Sequence, residues 1–139
     1  MDFVRQEQAI QAKLSSYVRV IAREDAAYPP DVGNAVRYIH THLFDPGLNV
    51  ASVLDACKIR GGYFFGRFRC HLKMTIRQYI EHCRIEAATR LLCDEAFELT
   101  LISHCLGFSY YETFARAFRK CMHCSASEFR MSLHRRCTA

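Results

Sequence analysis

The sequence predicts an all-α fold: two similar helical units joined by one long helix and preceded by an N-terminal helix. Three observations lead there. Six positions recur in chemical type at a constant offset of 50 residues: Phe64, Phe68, Arg69, Leu72, Thr75 and Tyr79 are followed by Phe114, Phe118, Arg119, Met122, Ser125 and Phe129. A period of this size marks a duplicated supersecondary unit. Elsewhere apolar residues recur at three- and four-residue spacing, and no segment of useful length alternates as a strand does. Helix-start signals stand where that pattern begins anew.

Each element follows from its residues. Phe3, Ile10 and Tyr17 lie seven apart, and Leu14 and Ile21 each follow by four, so residues 3–27 read as a helix with a heptad-like seam that Glu7 interrupts. Tyr28, Pro29 and Pro30 end it. Val32, Ala35, Val36, Ile39 and Leu43 form one face of the next helix, which the turn at Asp45, Pro46 and Gly47 stops. Asn49 can cap a third helix that buries Val50, Val53 and Leu54, with Cys57 near its end. Arg60, Gly61 and Gly62 make a short turn into a helix over residues 62–72. Thr75 and Gln78 fit a capping box that opens a helix to about Cys93, carrying Ile76, Ile80, Cys83, Ala87 and Leu91. Its length of 19 residues corresponds to roughly 28 Å. After a polar link, Leu99, Ile102 and Leu106 face a core, and Gly107 can take the left-handed conformation that ends a helix. Ser109 and Glu112 form a second box, opening the helix of Phe114 and Phe118, and Ser125 and Glu128 a third. The last helix is expected to reach about Leu133, with a frayed tail at Arg135, Arg136 and Cys137.

The chain has 139 residues, enough for one ordinary domain or two very small ones, with 50% hydrophobic and 24% charged residues, as in soluble globular proteins. No stretch approaches the roughly 20 apolar residues of a membrane span, and residues 1–10 are no signal peptide. Eight cysteines without a secretory signal suggest free thiols in a reducing, cytoplasmic setting. Residues 1–34 carry four Lys/Arg and five Asp/Glu, a balance of −1; residues 35–139 carry fifteen and nine, a balance of +6. The basic excess therefore accompanies the repeat and favours a polyanionic partner.

Each unit reads as a helix-turn-helix, whose second helix can enter the major groove of DNA. Two of them joined by one long helix resemble the DNA-binding domain of the AraC/XylS family of bacterial transcription regulators. Arg84, Ile85, Ala88, Leu91 and Leu92 match that family's linking-helix pattern. Ile102, Gly107, Phe108, Ser109, Phe114, Arg116, Phe118, Arg119, Lys120, Ser125, Phe129 and Arg130 match its C-terminal signature. The resemblance covers about residues 32–133 and implies a DNA-binding domain over residues 31–139, preceded by the N-terminal helix and linker of residues 1–30. Within that domain the first helix-turn-helix covers about residues 49–72, the linking helix 75–93 and the second helix-turn-helix 99–122. The chain departs from the family pattern at Lys73 and His123, where glycine is usual, at Ile76 and Ala126, where proline is usual, and at Ser103, where alanine is. In the first unit it also departs at Arg60, commonly a serine cap, and at Gly66, commonly basic.

By the same resemblance Tyr111, Glu112, Ala115 and Arg116 occupy base-reading positions of the second unit, and Gly62, Phe65 and Gly66 those of the first. Arginine suits guanine, glutamate can accept from cytosine, and alanine or tyrosine can touch a thymine methyl. Glu112 is alternatively the partner of Ser109 in its capping box, and Phe65 extra core. Arg60, Tyr63, Arg67, Arg69, Tyr110 and Arg119 are candidates for phosphate contacts, which set register and supply salt-dependent affinity. Arg84, in the linking helix, reads as structural rather than as a phosphate ligand. Phe64, Phe68, Phe114, Phe118 and Phe129 read as core.

Cys121, Cys124, His134 and Cys137 have a spacing that could hold zinc, but Cys124 falls where the family buries an apolar residue and Cys137 lies in the expected frayed tail. No nucleophile with an adjacent base, phosphate loop or carboxylate pair stands out, so no enzyme, cofactor or metal is expected. The implied partners are double-stranded DNA and RNA polymerase, with no membrane. The N-terminal seam can pair with a second chain, pack on its own domain, or belong to a missing upstream domain. A helical protein–protein adaptor is the alternative function, motivated by the few hydrogen-bonding groups at Gly62, Phe65 and Gly66.

Overall fold

In the computed structural model, residues 2–22 and 27–138 are described, and they are helical with no strand. The helices are α1 (Phe3–Ala22), α2 (Pro30–Thr41), α3 (Val50–Ala56), α4 (Tyr63–Leu72), α5 (Ile76–Leu91), α6 (Leu99–Cys105), α7 (Tyr111–Met122) and α8 (Ala126–Thr138). The expected extension of α1 to Ala27 runs through residues 23–26, outside the described residues. Pro30 does more than stop a helix: it opens α2, because a proline in the first turn needs no N–H partner and its φ already suits the helix. The last helix continues to Thr138, so the frayed tail expected from Arg135 onward is corrected.

The repeat is reproduced in geometry. Phe64 and Phe68 have ring centroids 5.9 Å apart, as do Phe114 and Phe118. Phe68 meets Tyr79 edge-on at 5.9 Å, and Phe118 meets Phe129 edge-on at 5.7 Å. Each aromatic pair thus locks its helix to the start of the next helix. Lys73 (φ 63, ψ 17) and His123 (φ 64, ψ 17) end α4 and α7 in the same left-handed conformation, each donating its N–H to the carbonyl of Arg69 or Arg119 at 2.8 Å. These are the two positions where the family pattern has glycine, and the conformation explains that preference.

The second expected box at α7 is not formed. The cap residue is Tyr110, extended and without a side-chain cap, so Glu112 is the second helical residue and not the third. From there its carboxylate is out of register for the reciprocal bond. The boxes at Thr75–Gln78 and Asn49–Ser52 are complete, with Thr75 Oγ1 accepting from Gln78 N at 3.2 Å and Asn49 Oδ1 from Ser52 N at 2.8 Å. Ser125 Oγ accepts from Glu128 N at 3.1 Å.

α5 runs for 16 residues, about 24 Å, against the expected 28 Å. Its C-cap is Leu92, and Asp94 Oδ1 then takes the N–H of Ala96 at 2.9 Å, turning the chain away. α4 packs near the start of α5, around Ile76, while α7 lies along its later half, around Ile85 and Thr89. Ile10, Leu14 and Tyr17 of α1 are buried in the same core as Ile39, Ile85 and Leu106. α1 touches α2, α5 and α6. The apolar seam of α1 is thereby covered by its own chain, which removes the motive for pairing through it; Phe3, at its end, stays 61% exposed.

Two arginines tie the turns together. Arg84, buried on α5, donates from Nε to the Leu43 carbonyl at 2.8 Å and from Nη2 to the Asp45 carbonyl at 2.9 Å. Arg130 on α8 does the same for the turn after α5, reaching the carbonyls of Leu92, Asp94 and Phe97 at 3.3, 3.2 and 2.8 Å. A planar guanidinium can satisfy several converging carbonyls at a helix end at once. The structural role expected for Arg84 is thus its observed one. Gly107 (φ +96) sits against this junction: a β-carbon there would stand 2.9 Å from Arg84 Nη2 and 3.0 Å from the Phe44 carbonyl oxygen.

Candidate nucleic-acid interface

α7 is sharply two-sided. Phe114, Ala117 and Phe118 are buried, while Glu112, Thr113, Arg116, Arg119 and Lys120 are exposed. Three- and four-residue spacing fixes this division, since residues that far apart share a face. Arg116 has no ion-pair or hydrogen-bond partner among the described residues. Ala115 is half-buried beside it, leaving room around the arginine. Arg119 approaches Glu128 at 3.9 Å and Lys120 approaches Glu81 at 3.9 Å, both on the surface, where such pairs hold weakly. Tyr110 is 70% exposed just before the helix. Tyr111 is half-buried, its ring 5.9 Å from that of Phe114, so it belongs partly to the core. Glu112, freed from the cap role, stands in the first turn, where its negative charge complements the helix dipole.

α4 presents a different surface. Gly62 is its cap residue and not part of the helix, because Gly61 (φ +99) delays the start. In the register of the repeat α4 begins two residues later than α7. Phe65 is 46% exposed and not core, correcting that alternative: Phe64 and Phe68 already fill the inner face, and position 65 lies a quarter-turn outside it. Tyr63 is 87% exposed. A β-carbon at Gly66 would meet nothing within 4 Å, so the glycine leaves the outer face of α4 open beside Phe65 and Arg69. Arg60 and Arg69 are exposed. Arg67 is engaged: it forms a short ion pair with Asp31 of α2, and that hydrogen bond holds the Asp31 carboxyl below its ordinary range.

Sequence reasoning gave no hint of the Asp31–Arg67 pair, which joins residues 36 apart. Nor did it anticipate the bond of 2.6 Å between His40 Nε2 and the Tyr79 hydroxyl, although tyrosine at 79 where the repeat has phenylalanine at 129 was a signal. Burial pushes the neighbouring Cys83 thiol up to about 12, which disfavours the thiolate. No group of three or more possible metal ligands converges among the described residues; the side chain of Cys137 is outside them, and His134 approaches Glu95 at 2.7 Å. No helix is long and apolar enough to cross a membrane among the described residues.

Between the two units lies a groove of about 680 Å³, walled by Leu48 and Val50 on one side and by Phe108 and Tyr110 on the other, with Arg77, Ile80 and Glu81 of α5 as its floor. α4 and α7 each pack against α5.

Comparison with known proteins identifies the family. Residues 55–132 match the family described as a helix-turn-helix domain. The chain is 30% identical over 115 residues to the arabinose operon regulatory protein of Escherichia coli (strain K12), covering 81% of this chain and 39% of that protein. It is 30% identical over 86 residues to the uncharacterized HTH-type transcriptional regulator YobQ of Bacillus subtilis (strain 168), covering 62% of this chain and 35% of the relative. The chain thus spans about two fifths of the length of these relatives. Its fold matches the C-terminal domain of AraT, a response regulator from Geobacillus stearothermophilus, with a TM-score of 0.72 at 23% identity, covering 77% of this chain and 88% of that one. It also matches a DNA-binding transcriptional dual regulator from Escherichia coli K-12, with a TM-score of 0.65 at 14% identity, covering 81% and 99%. The chain belongs to the AraC/XylS-type helix-turn-helix family.

Proposed function

We infer that α7 reads base sequence in the major groove and that α4 docks in a neighbouring groove mainly through shape and apolar contact. The exposed, unpaired guanidinium of Arg116 on the outer face of α7 carries this reading. An arginine so placed suits the paired acceptors of guanine, and Glu112 one turn earlier suits the amino group of cytosine. Ala115 and the exposed edge of Tyr111 suit a thymine methyl. On α4, Phe65 and Tyr63 offer rings and one hydroxyl, while Gly62 and Gly66 offer no side chain, so this unit contributes little hydrogen-bonded readout. Arg60, Arg69, Tyr110 and Arg119 are placed for phosphates; Arg67 enters only if it leaves Asp31.

A rod of about 24 Å with a helix packed toward each end suits two successive major-groove faces, roughly 34 Å apart. One chain would then engage two half-elements from one side of the duplex without a dimer. Contact with RNA polymerase and a homodimer remain proposals of the same reading, and pairing would have to use a surface other than the covered seam of α1. The exposed Tyr63 and Phe65 also suit a protein partner, which is what the adaptor alternative requires.

Gel mobility shift with duplexes selected from a random pool, at two salt concentrations, separates the two. DNA binding predicts enrichment of a bipartite site and a steep loss of affinity with salt. Arg116→Ala should weaken the selected site by roughly 1–3 kcal/mol and relax one base position, whereas Arg69→Ala should weaken all sequences alike and reduce the salt slope by about 1. Unchanged affinity and preference in Arg116→Ala would remove α7 from the reading role, and no shift at low salt would favour the adaptor.

A further inference from the structure

We propose that α1 is a brace that fixes the two DNA-reading units relative to one another, with Gln6 as its positioning residue on the second unit. The inference rests on the bipartite reading above and goes beyond it, because it assigns a determinant of half-element spacing outside both helix-turn-helix units.

The placement of α1 carries the argument. Its inward residues Gln6, Ile10, Leu14 and Tyr17 are all buried. Near the N-terminal end Gln6 Oε1 accepts the N–H of Glu98 at 3.3 Å, and from the middle of the helix Lys13 Nζ reaches to 5.4 Å from the centre of the Phe97 ring. Both partners belong to the entry into α6. At the other end Tyr17 and Ile21 line a small cavity with Val36 and His40 of α2, and the Tyr17 ring lies 5.0 Å from the Arg90 guanidinium carbon on α5. α1 therefore runs from the second unit to the first across α5.

It crosses on the side of α5 away from the groove. The groove floor is Arg77, Ile80, Glu81 and Arg84, whereas the side toward Tyr17 carries Cys83, Glu86 and Arg90. At 100° per residue these two sets point roughly opposite ways. The groove side holds open space and the close approach of Gly107 to Phe44, which Arg84 ties to α5. The other side is bridged by a 20-residue helix.

The Gln6 contact is specific in kind. Glu98 caps α6 with no side-chain cap bond, and the third residue of α6 is Leu101, which cannot reach back to the Glu98 N–H. In a capping box that reach is made by a glutamine or glutamate of the same helix. Here a buried glutamine from α1 supplies it, so the start of α6 is oriented by α1.

A rigid link between two modules multiplies their affinities for a correctly spaced site and forfeits the gain when spacing changes; a loose link does neither as strongly. Two variants of the full chain test this. Gln6→Ala keeps the apolar face of α1 and removes the cap bond; Leu14→Asp lifts α1 from its seat. With the intact chain, inserting one base pair between the half-elements of the selected site should cost roughly 100-fold or more in affinity, as the loss of simultaneous engagement does. In Gln6→Ala the cost should shrink several-fold, and in Leu14→Asp to less than about tenfold. Backbone N–H residual dipolar couplings give a readout that needs no DNA: one alignment tensor should describe both units in the intact chain and two distinct tensors in Leu14→Asp. An unchanged spacing cost in both variants, or one shared tensor in Leu14→Asp, overturns the brace. A selected site engaged by a single unit overturns it as well. If no duplex is selected at all, the DNA reading fails and the tensors still decide whether α1 braces the units.

Discussion

Replacing Lys73 by glycine should stabilise this protein, by an amount set by backbone geometry. Lys73 ends α4 at φ 63, ψ 17, and its N–H is bonded to the Arg69 carbonyl at 2.8 Å. A residue with a β-carbon in this region carries a steric cost of roughly 1–2 kcal/mol. Glycine removes that cost but gives the unfolded chain more freedom, which takes back about 0.5–1 kcal/mol. The net gain is about 0.5–1 kcal/mol. With an unfolding entropy of about 2.1 cal/mol/K per residue, a chain of this size shifts its Tm by roughly 3 °C per kcal/mol, so Lys73→Gly should raise Tm by about 2–3 °C. His123→Gly, at φ 64, should gain less, because histidine tolerates the left-handed region better than lysine. The two sites lie in different units, so the double variant should add the single effects. Lys73→Ala is the control: it loses the same charge and keeps the β-carbon, so it should gain nothing. Thermal unfolding followed by circular dichroism in moderate salt measures all four. Equal Tm values for Lys73→Gly and Lys73→Ala would refute the reasoning, since the gain would then come from charge and not from φ.

Gly107→Ala should cost upward of about 2 kcal/mol in urea unfolding, because positive φ and the contacts with Arg84 and the Phe44 carbonyl both oppose a β-carbon; a loss under 0.5 kcal/mol would mean the junction relaxes freely. In native-state thiol titration Cys70 and Cys93, both exposed, should react promptly, while Cys83 should react only after denaturation, being buried with its pKa pushed up to about 12. Prompt reaction of Cys83 would show that the contact between α1 and α5 opens readily.

The sequence alone determined what is local or repeated. Phe64, Phe68, Phe114 and Phe118 announced a duplicated core because helical spacing places them on one face whatever surrounds them. Thr75 with Gln78 and Asn49 marked real helix starts, since a cap is satisfied within four residues. Gly107 was legible as a left-handed terminus for the same reason. The positions of Lys73 and His123 stood out against the family pattern, but their shared dihedral angles did not. Only the tertiary structure decided what depends on partners distant in the chain or on a shift of one residue. Tyr110 took the cap from Ser109, and that single step moved Glu112 out of the box and left it in the first turn of α7. Phe65 proved exposed because two neighbouring phenylalanines had already filled the available core. Arg67 found its partner in Asp31, 36 residues away. The seam of α1 could equally have faced a second chain, since an apolar stripe specifies that something covers it and not what. Here α2, α5 and α6 together offered a matching surface within the same molecule, and the buried Gln6 found at Glu98 a backbone amide, 92 residues distant, that no local pattern could reveal.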